Sequence, residues 1–526
     1  MKTAIVLFRK SIRIHDNPVL AWAETSQEID SIIPIYIMDD KWSPDEGSIQ
    51  SLNRLNFLYD SLLDLDRNLK QNYGSKLLVF SGDSKNIIES IIKSLDGGIN
   101  MLLCDYCSEP RSRNEMNKIK KSLTELGVDS KVFPAVNTIL DIEKITQSKN
   151  FINPKSSKDI EKILKKNLIL SSDGYFVDEA LANPQEICTN LLLLESILLD
   201  KQTSKYHISI EEIRKKSEQL ILKSEMGSPY FPGGESEALL RLRNKVTERP
   251  NFVNNFKKPS TLSTNEEGNS MEPSTTGLSP YISNGCLSVR HVWNECAKAH
   301  IDLHHTKPPE SLHGQLMFRE MFYLLSRSIV NWDDDFDNSN CKPIGWGEYD
   351  QSKISAWELG VTGFPYIDAM MRQLDATGWM HHLGRHAVSC FLTRGQLWQN
   401  WKHGRDVFER KLVDSDWAIN NGNWLWLAGV APFSMPYYRV YNPCPDSNSS
   451  LNVETIEANF VRYWVPELAS YPSKYIFEPH LAPIDVQKSS NCIIGKDYPL
   501  PIIDRKISRR ENLAMFKENV GRINRI

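Results

Sequence analysis

The chain begins with short apolar runs that alternate with amphipathic segments. The runs are rich in β-branched residues and bounded by turn-forming or charged residues: TAIVLF, SIIPIYIM, KLLVFSG, INMLLCDY and SKVFPAV. Such runs are typical of strands buried on both faces of a sheet. Between them, SLNRLNFLYDSLLDLDRNL and SKNIIESIIKSL repeat at helical spacing. The alternation predicts an α/β domain with a doubly wound parallel sheet over residues 1–137.

The pattern changes after this domain. Residues 138–212 are polar and rich in lysine and serine, which predicts an interdomain linker that runs over the surface. From 213 to 526 the strand signals stop, and we predict an all-helical domain, with the polar stretch KKPSTLSTNEEGNSMEPSTTG as a loop. Helices are predicted over ESEALLRLRNKV, GQLMFREMFYLLSR, PYIDAMMRQLDATG, AVSCFLTRGQLWQNWKHGRDVFERKLV and ISRRENLAMFKENV.

Composition supports a globular chain of two domains. The 526 residues are 40% hydrophobic and 24% charged, and the net charge of −4 excludes an overall basic nucleic-acid binder but not a local basic groove. No apolar run approaches the ~20 residues of a membrane helix, and MKTAIVLFRKSIRIHDN does not resemble a secretory signal. The lack of such a run predicts no membrane partner, and the nine scattered cysteines favour a reduced, intracellular protein. Cys104 and Cys107 have no second pair at zinc-finger spacing, so we predict no metal site.

Histidines are concentrated in WMHHLGRH, residues 379–386. His382 and His386 are four residues apart and therefore project from one helical face. Zinc can use this spacing, but no glutamate lies between the two histidines as in the protease motif. Proton transfer and a merely packed pair remain the alternatives. His381 is interpreted as structural, and His403 is an isolated candidate.

Other polar residues stand in apolar, aromatic segments. In TTGLSPYISNGCLSVR, Thr276 and Ser279 either cap the following helix or donate to a phosphate at its positive end. In LVDSDWAINNGNWLWLAG, Asp414 requires a partner if it is buried, and Arg385 is the natural candidate. Polar groups that converge in a helical, aromatic setting are typical of a cofactor pocket.

Taken in order, five segments resemble the DNA photolyase/cryptochrome family over nearly the whole chain: LFRKSIRIHDNPVL, GGESEALLRL, TTGLSPYISNGCLS, TGFPYIDAMMRQLDATGWMHHLGRHAVSCFLTRG and DSDWAINNGNWLW. The histidine pair makes the chain most similar to the (6-4) photolyase and animal cryptochrome branch. The resemblance implies an α/β domain followed by a helical domain that binds FAD. A folate or deazaflavin antenna pigment in the α/β domain is also typical of the family, and the sequence does not choose between them.

The resemblance assigns cofactor residues position by position. It implies that Asp416 lies near the isoalloxazine ring and that Asn420 faces flavin N5, where insect-type cryptochromes carry cysteine. The FAD-binding residues that it implies are Thr276, Gly277, Leu278, Ser279, Gln315, His382, Arg385, Asp414, Asp416 and Asn420.

For electron transfer the resemblance implies a relay of Trp424, Trp401 and Trp346, with Trp398 as a further ring. Trp398 and Trp401 stand three residues apart, so one helix is expected to offer both rings as neighbours. Packing is the alternative for each ring taken alone.

The function implied by the resemblance is blue-light repair of (6-4) photoproducts in UV-damaged DNA. His382 and His386 match the catalytic pair: excited reduced flavin donates an electron to a flipped lesion, and a protonated histidine delivers a proton. Gln315 and Phe318 are expected on the lesion side, although the family usually has tryptophan at the position of Phe318. Local lysine and arginine contacts to phosphates are expected to supply salt-dependent affinity.

Three alternatives remain. A cryptochrome photoreceptor has the same FAD pocket and signalling proteins as partners, but it often carries a long tail, whereas this sequence ends with ENLAMFKENVGRINRI, almost where the fold is expected to end. Repair of cyclobutane dimers is disfavoured by the histidine pair, although PYYRVYNP is closer to a dimer-photolyase phrase. A plain nucleotide-binding module lacks the glycine-rich fingerprint after the first strand. We expect a monomeric lyase, nuclear if the source is eukaryotic.

Overall fold

The computed structural model describes residues 2–38, 51–95, 98–168, 181, 183–223, 230–258, 265–266, 269–300, 304–445 and 457–523. The chain divides into two compact units. The first unit comprises Met1–Asn255 and Leu278–Arg327, and the second comprises Phe256–Gly277 and Ser328–Ile526.

The first unit is built on a six-stranded sheet. Its strands lie in the order β5-β4-β1-β2-β3-β6, and all neighbours are parallel except the short edge strand β6. All five strands predicted from the apolar runs are present, which confirms the doubly wound sheet. The strands are β1 (Thr3–Phe8), β2 (Ser31–Met38), β3 (Leu78–Ser81), β4 (Ile99–Asp105), β5 (Asp129–Phe133) and β6 (His207–Ile208).

The continuous apolar runs are explained by burial on both faces of this sheet. All six residues of β1 are buried, and Ile33 and Ile35 of β2 are completely inaccessible to solvent. The strand order reverses between β1 and β4, which is where open α/β sheets bind ligands at the carboxyl ends of their strands.

Helices surround the sheet and continue beyond it in the first unit. One of them, α10, continues into a π-helical turn over Arg243–Thr247 before α11 begins. The helices that precede this turn are α1 (Pro18–Thr25), α2 (Leu52–Tyr73), α3 (Ser84–Ser94), α4 (Pro110–Glu125), α5 (Ile142–Thr146), α6 (Ser157–Asn167), α7 (Leu191–Leu199), α8 (Lys201–Ser204), α9 (Ile210–Lys223) and α10 (Glu235–Leu242). Those that follow are α11 (Pro250–Asn255), α12 (Ser279–Asn284), α13 (Val289–Lys298) and α14 (Leu312–Ser328).

The segment interpreted as a linker carries structure of its own in its described part. It contains α5 to α8 and β6, and α7 buries Leu194 and Ile197 completely in the core of the sheet. The sheet therefore takes part of its covering layer from the segment interpreted as a linker, through the largely apolar helix α7.

The second unit is mostly helical. Its small β7–β8 sheet falls in the polar stretch that was predicted as a loop. The described elements are β7 (Asn265–Glu266), β8 (Asn269–Pro273), α15 (Gln351–Glu358), α16 (Pro365–Thr377), α17 (His382–Cys390), α18 (Trp401–Lys411), α19 (Trp417–Leu427), α20 (Asn459–Trp464), α21 (Ile484–Ser489) and α22 (Arg505–Ile523), with short 3-10 turns at Pro466–Leu468 and Pro479–Leu481.

The long helix predicted from Ala387 to Val413 is wrong, because the structure breaks it into two. After α17 a π-helical turn contains Thr393 with non-helical dihedrals (φ −97°, ψ −117°), and Trp398 lies in the left-handed region (φ 56°). Asn400 then caps α18 by accepting from the N–H of Lys402 at 3.0 Å. Asparagine is favoured at helix caps over helix interiors. The apolar residues on either side of the break nevertheless continue the helical periodicity, which is why one long helix was predicted.

Candidate functional site

The histidine pair lies at the start of α17. The N–H of Leu383 donates to Nδ1 of His381 at 3.2 Å, so His381 is the N-cap of this helix. The rings of His382 and His386 lie on one face of the helix, with centroids 5.8 Å apart and planes at 84°. The predicted common face is therefore present, and the neighbouring His381 has a structural role.

Three residues from distant segments of the second unit surround this pair. The hydroxyl of Tyr441 is 2.7 Å from Nδ1 of His386, and the ring of Trp426 lies 5.1 Å from the His386 ring. The ammonium of Lys258 is 5.7 Å from the centre of the Trp426 ring. No local sequence pattern links these three residues to the histidine pair, so none of them was predicted to take part in the site.

Burial and positive charge keep the pair neutral. Burial, followed by the charge of Lys258, lowers the pKa of both His382 and His386 well below the ordinary value. Burial also lowers the pKa of His381 to about 3 and that of Lys258 to about 8. Burial raises the pKa of Tyr441 to about 12, so its hydroxyl keeps a proton to donate. When Tyr441 donates to Nδ1, neutral His386 carries its own proton on Nε2.

The predicted pairing of Arg385 with Asp414 is present. One guanidinium nitrogen of Arg385 donates to Oδ2 of Asp414 at 2.7 Å, and its Nε donates to the carbonyl of Met380 at 2.9 Å. The other oxygen of Asp414 and Nε2 of His382 are buried and have no hydrogen-bond partner in the described part of the chain. Unpaired buried polar atoms are costly, so both atoms fit a site for a polar ligand.

Asp416 and Asn420 lie one turn apart on the adjacent helix α19. Asp416 is its N-cap and accepts from the N–H groups of Ala418 and Ile419 at 3.0 and 3.2 Å. The amide of Asn420 donates to the carbonyl of Arg405 on α18 at 3.0 Å. Both side chains are buried, and these bonds fix the start of α19 against α18.

Two of the predicted relay tryptophans are in the core of the second unit. Trp424 is completely buried on α19 and packs against Phe408 and Trp357, with ring centroids 5.1 and 6.3 Å away. Trp401 is equally buried at the start of α18, where the guanidinium of Arg405 lies 5.6 Å from its ring. These contacts suit packing as well as electron transfer.

The other two tryptophans form a pair of their own. The prediction that one helix carries Trp398 and Trp401 is wrong, because Trp398 lies in the turn that precedes α18. Its ring instead contacts Trp346 at 5.0 Å between centroids, and its carbonyl accepts from the N–H of Gly347 at 2.9 Å. The neighbour of Trp398 was therefore set by tertiary packing and not by helical spacing.

The first unit carries Gln315 and Phe318 on one face of α14. Both are half-buried, whereas the intervening Leu316 and Met317 are buried, so the two predicted lesion-side residues share the open face of this helix.

The Thr276–Ser279 motif spans the boundary between the units, with Gly277 (φ 61°) ending one segment of the second unit and Leu278 beginning a segment of the first. The N-cap residue of α12 is Leu278, whose side chain forms no capping hydrogen bond. Neither Thr276 nor Ser279 therefore occupies the N-cap position, and their assignment to a phosphate stays a prediction. Ser279 is instead the exposed first residue of α12.

A cavity lies entirely within the first unit. It has a volume of about 640 Å³ at the carboxyl ends of β1 and β4 and is lined by Arg9, Asp105, Tyr106, Cys107, Arg113 and Arg327, among others. Burial raises the pKa of Asp105, and Nε of Arg327 donates to the hydroxyl of Tyr106 at 2.9 Å. The cavity thus occupies the position at which a doubly wound sheet binds ligands.

Two further features, a candidate metal centre and a membrane-spanning helix, are absent from the described residues. No cluster of three or more His, Cys, Asp or Glu side chains there has an arrangement able to hold a metal ion. None of the helices described combines the length and the apolar character needed to cross a bilayer.

Comparison with known proteins agrees with this geometry. The family description "DNA photolyase" matches residues 4–168, and "FAD binding domain of DNA photolyase" matches residues 311–518. The chain is 36% identical to a protein of Arabidopsis thaliana named (6-4)DNA photolyase, over 95% of this chain and 85% of that protein. It is 34% identical to Cryptochrome-1 of Macaca fascicularis, over 99% of this chain and 83% of that protein. A crystal structure of a bacterial class III photolyase from Agrobacterium tumefaciens superposes with a TM-score of 0.75 at 25% identity, covering 99% of this chain and 98% of that one.

An α/β unit, a helical unit and a match to a flavin-binding domain define a flavoprotein whose cofactor is FAD. The chain belongs to the DNA photolyase/cryptochrome family, with relatives among (6-4) photolyases and animal cryptochromes.

Proposed function

We propose that this protein repairs (6-4) photoproducts in UV-damaged DNA under blue or near-ultraviolet light. The observation that carries the proposal is His386, which lies beside His382 and whose Nδ1 is bonded to the hydroxyl of Tyr441. A titratable pair of this kind supports a proton transfer. The similarity to a (6-4) photolyase of Arabidopsis thaliana supports the same lesion class.

Cofactor binding is proposed for the residues that the family resemblance assigned. Bound, reduced FAD supplies a light-driven electron to the lesion. The unpaired oxygen of Asp414 and Nε2 of His382 fit a polar cofactor, and Arg385 fixes the orientation of Asp414. The proposed FAD-binding residues are Thr276, Gly277, Leu278, Ser279, Gln315, His382, Arg385, Asp414, Asp416 and Asn420.

His386 is proposed to hold and deliver the proton. To act as the acid, His386 first takes up a second proton, so that its Nδ1–H donates to the oxygen of Tyr441 and its Nε2 carries the proton to be transferred. Release of the Nε2 proton returns the ring to its neutral form, with the remaining proton on Nδ1. Delivery from Nε2 assists the return of the hydroxyl to the neighbouring base of the lesion. Gln315 and Phe318 are proposed to contact the flipped lesion, Phe318 by stacking. The 640 Å³ cavity of the first unit is proposed for an antenna pigment.

The test is a light-dependent repair assay on duplexes with either a (6-4) photoproduct or a cyclobutane dimer. Wild-type protein should repair the (6-4) lesion only in the light, and His386→Ala should abolish repair while FAD stays bound. The matched control is His403→Ala, since His403 lies on α18 against Tyr349, away from the pair. Full repair by His386→Ala, or repair of cyclobutane dimers only, contradicts the proposal.

A photoreceptor that signals to other proteins is the second candidate, favoured by the 34% identity to a cryptochrome over nearly the whole chain. In that case the FAD-loaded wild-type protein repairs neither lesion, while light still reduces its flavin.

A further inference from the structure

A row of aromatic rings leads from the paired tryptophans to the surface of the second unit. The ring of Phe516 on α22 is completely buried, and its centroid lies 6.3 Å from that of Trp346 and 6.4 Å from that of Trp398. The ring of Tyr437 stacks on that of Phe516 at 5.1 Å, with planes 8° apart. The ring of Tyr438 follows at 5.7 Å. The row therefore runs from two indoles through one phenyl ring to two phenols.

Solvent exposure increases along this row. Trp398 is buried, Trp346 and Tyr437 are half-buried, and Tyr438 is 64% exposed. Burial of apolar surface is what stabilises a packed aromatic cluster, so packing accounts for the buried rings and contributes little at Tyr438. The row thus ends on a phenol that water and small solutes can reach.

Backbone contacts hold the two tyrosines in place. The buried guanidinium of Arg394 donates to the carbonyls of Tyr437 and Arg439 at 2.8 and 2.9 Å. Its Nε donates to the carbonyl of Leu427, at the end of α19, at 3.2 Å. The segment with both phenols is therefore fixed to the helix that carries Trp424. Fixed distances of this kind are what an electron-transfer route requires.

We propose that Tyr437 and Tyr438 are electron donors, which carry the oxidising equivalent from the Trp346–Trp398 pair to the surface when light reduces bound FAD. This inference rests on the proposed function and on the tryptophan relay that the family resemblance implies. That relay supplies the oxidant, which is a tryptophan radical cation.

One electron and one proton move at each tyrosine. Tyr437 gives an electron to the radical cation, which becomes neutral tryptophan, and the hydroxyl of Tyr437 loses its proton to water. The tyrosyl radical then takes an electron from Tyr438 and a proton from water, while Tyr438 releases its own hydroxyl proton. A thiol in solution returns a hydrogen atom to the Tyr438 radical and is left as a thiyl radical. Because the proton of the first step enters the solvent, return of the electron is slow.

Two other side chains are competing end points for the oxidising equivalent. Trp346 is half-buried and could itself react with a reductant in solution. Tyr349 is exposed, three residues further along the chain, with its ring 4.9 Å from that of His403. The ring contacts of Phe516 with both tryptophans and with Tyr437 favour the proposed row.

The experiment is electron paramagnetic resonance of FAD-loaded protein, frozen after blue-light illumination without added thiol. Wild-type protein should give a tyrosyl radical spectrum that changes when the protein is labelled with ring-deuterated tyrosine. Tyr437→Phe should lose this spectrum and leave the radical on tryptophan, because phenylalanine keeps the ring but is not readily oxidised. Tyr438→Phe should keep a tyrosyl radical and lengthen its lifetime in the presence of a thiol. The matched control is Tyr349→Phe, which removes a different exposed phenol and should behave as wild type.

Any of four results would overturn the inference. They are a radical that stays on tryptophan in wild-type protein, an unchanged tyrosyl spectrum in Tyr437→Phe, a lifetime with thiol that is the same in wild type and Tyr438→Phe, and loss of the tyrosyl spectrum in Tyr349→Phe. Failure of the proposed function is distinguishable, because wild-type protein then repairs neither lesion while the tyrosyl spectrum still disappears in Tyr437→Phe.

Discussion

Burial first, and then the charge on Lys258, lowers the pKa of His386 and so disfavours its protonated form. Both side chains lie in the second unit near Trp426, and only one positive charge is easily held there because burial disfavours each cation. Protonation of His386 therefore competes with protonation of Lys258, although the two residues lie about 130 positions apart in the sequence.

Lys258→Gln should move the alkaline limb of the pH–rate profile for repair to higher pH. The pKa of His386 is lowered first by burial and then by Lys258. Removal of the neighbouring cation stabilises the imidazolium, so the pKa rises and the protonated form persists to higher pH. The measurement is the initial repair rate at saturating DNA between pH 5 and 9, with the exposed Lys257→Gln as control. An unshifted profile, or a shift toward acid, would contradict this coupling.

At the scale of one element, α19 carries the predicted flavin-side residues in a single stripe. Asp416, Asn420 and Trp424 are spaced four residues apart, so the N-cap, an amide and an indole follow one another along one face. All three are buried, and Asp416 fixes where the stripe begins. Helical spacing thus accounts for the row, whereas the partners of Asn420 and Trp424 come from α18 and α15.

Trp424→Phe should remove most of the photoreduction of oxidised FAD, while repair by protein that is already reduced continues. Phenylalanine keeps an aromatic ring in the core but is not readily oxidised, so a relay through this position stops. The control is Trp357→Phe, whose ring touches that of Trp424 at 6.3 Å and whose indole N–H donates to the carbonyl of Val388. Equal losses of photoreduction in the two variants would show that Trp424 acts by packing alone.

At the scale of the whole molecule, buried neutral histidines make stability depend on pH. His313 of α14 is completely buried, with its Nε2 bonded to the carbonyl of Trp293 at 3.0 Å. Burial, followed by the charge of nearby His300, lowers its pKa to about 3. In the unfolded chain histidine titrates near pH ~6.5, so below that pH protons bind the unfolded state first. Stability contributed by His313 is therefore present above that pH and lost as the pH falls toward 3.

The comparison of wild type with His313→Gln isolates this group. Glutamine can donate to the carbonyl of Trp293 and accept from His300, but it does not titrate near neutral pH. Between pH 7 and pH 5, wild-type protein should lose about 2 kcal/mol of unfolding free energy relative to the variant. Urea unfolding at a series of pH values measures this difference. If the difference in unfolding free energy between wild type and variant stays constant from pH 7 to pH 5, His313 is not held neutral in the folded protein.

Sequence analysis was most accurate where a property depends on near neighbours. The five strands follow from runs of apolar residues, and the common face of His382 and His386 follows from a four-residue spacing. The prediction of one long helix failed at Trp398. Apolar periodicity continues there across a turn, which is formed by the left-handed backbone of Trp398 and the helix cap at Asn400. Periodicity reports which positions are buried, and it does not report whether the backbone between them stays helical.

The amino-acid sequence by itself determined the sheet, most of the helices and the family, because each is encoded in a short run or an ordered set of motifs. Only the tertiary structure decided that Tyr441, Trp426 and Lys258 gather around the histidines, and that Trp398 meets Trp346. It also decided that Phe516 of α22 contacts both of these tryptophans and Tyr437. These contacts join segments far apart in the chain, and their free energy is gained only when packing brings those segments together.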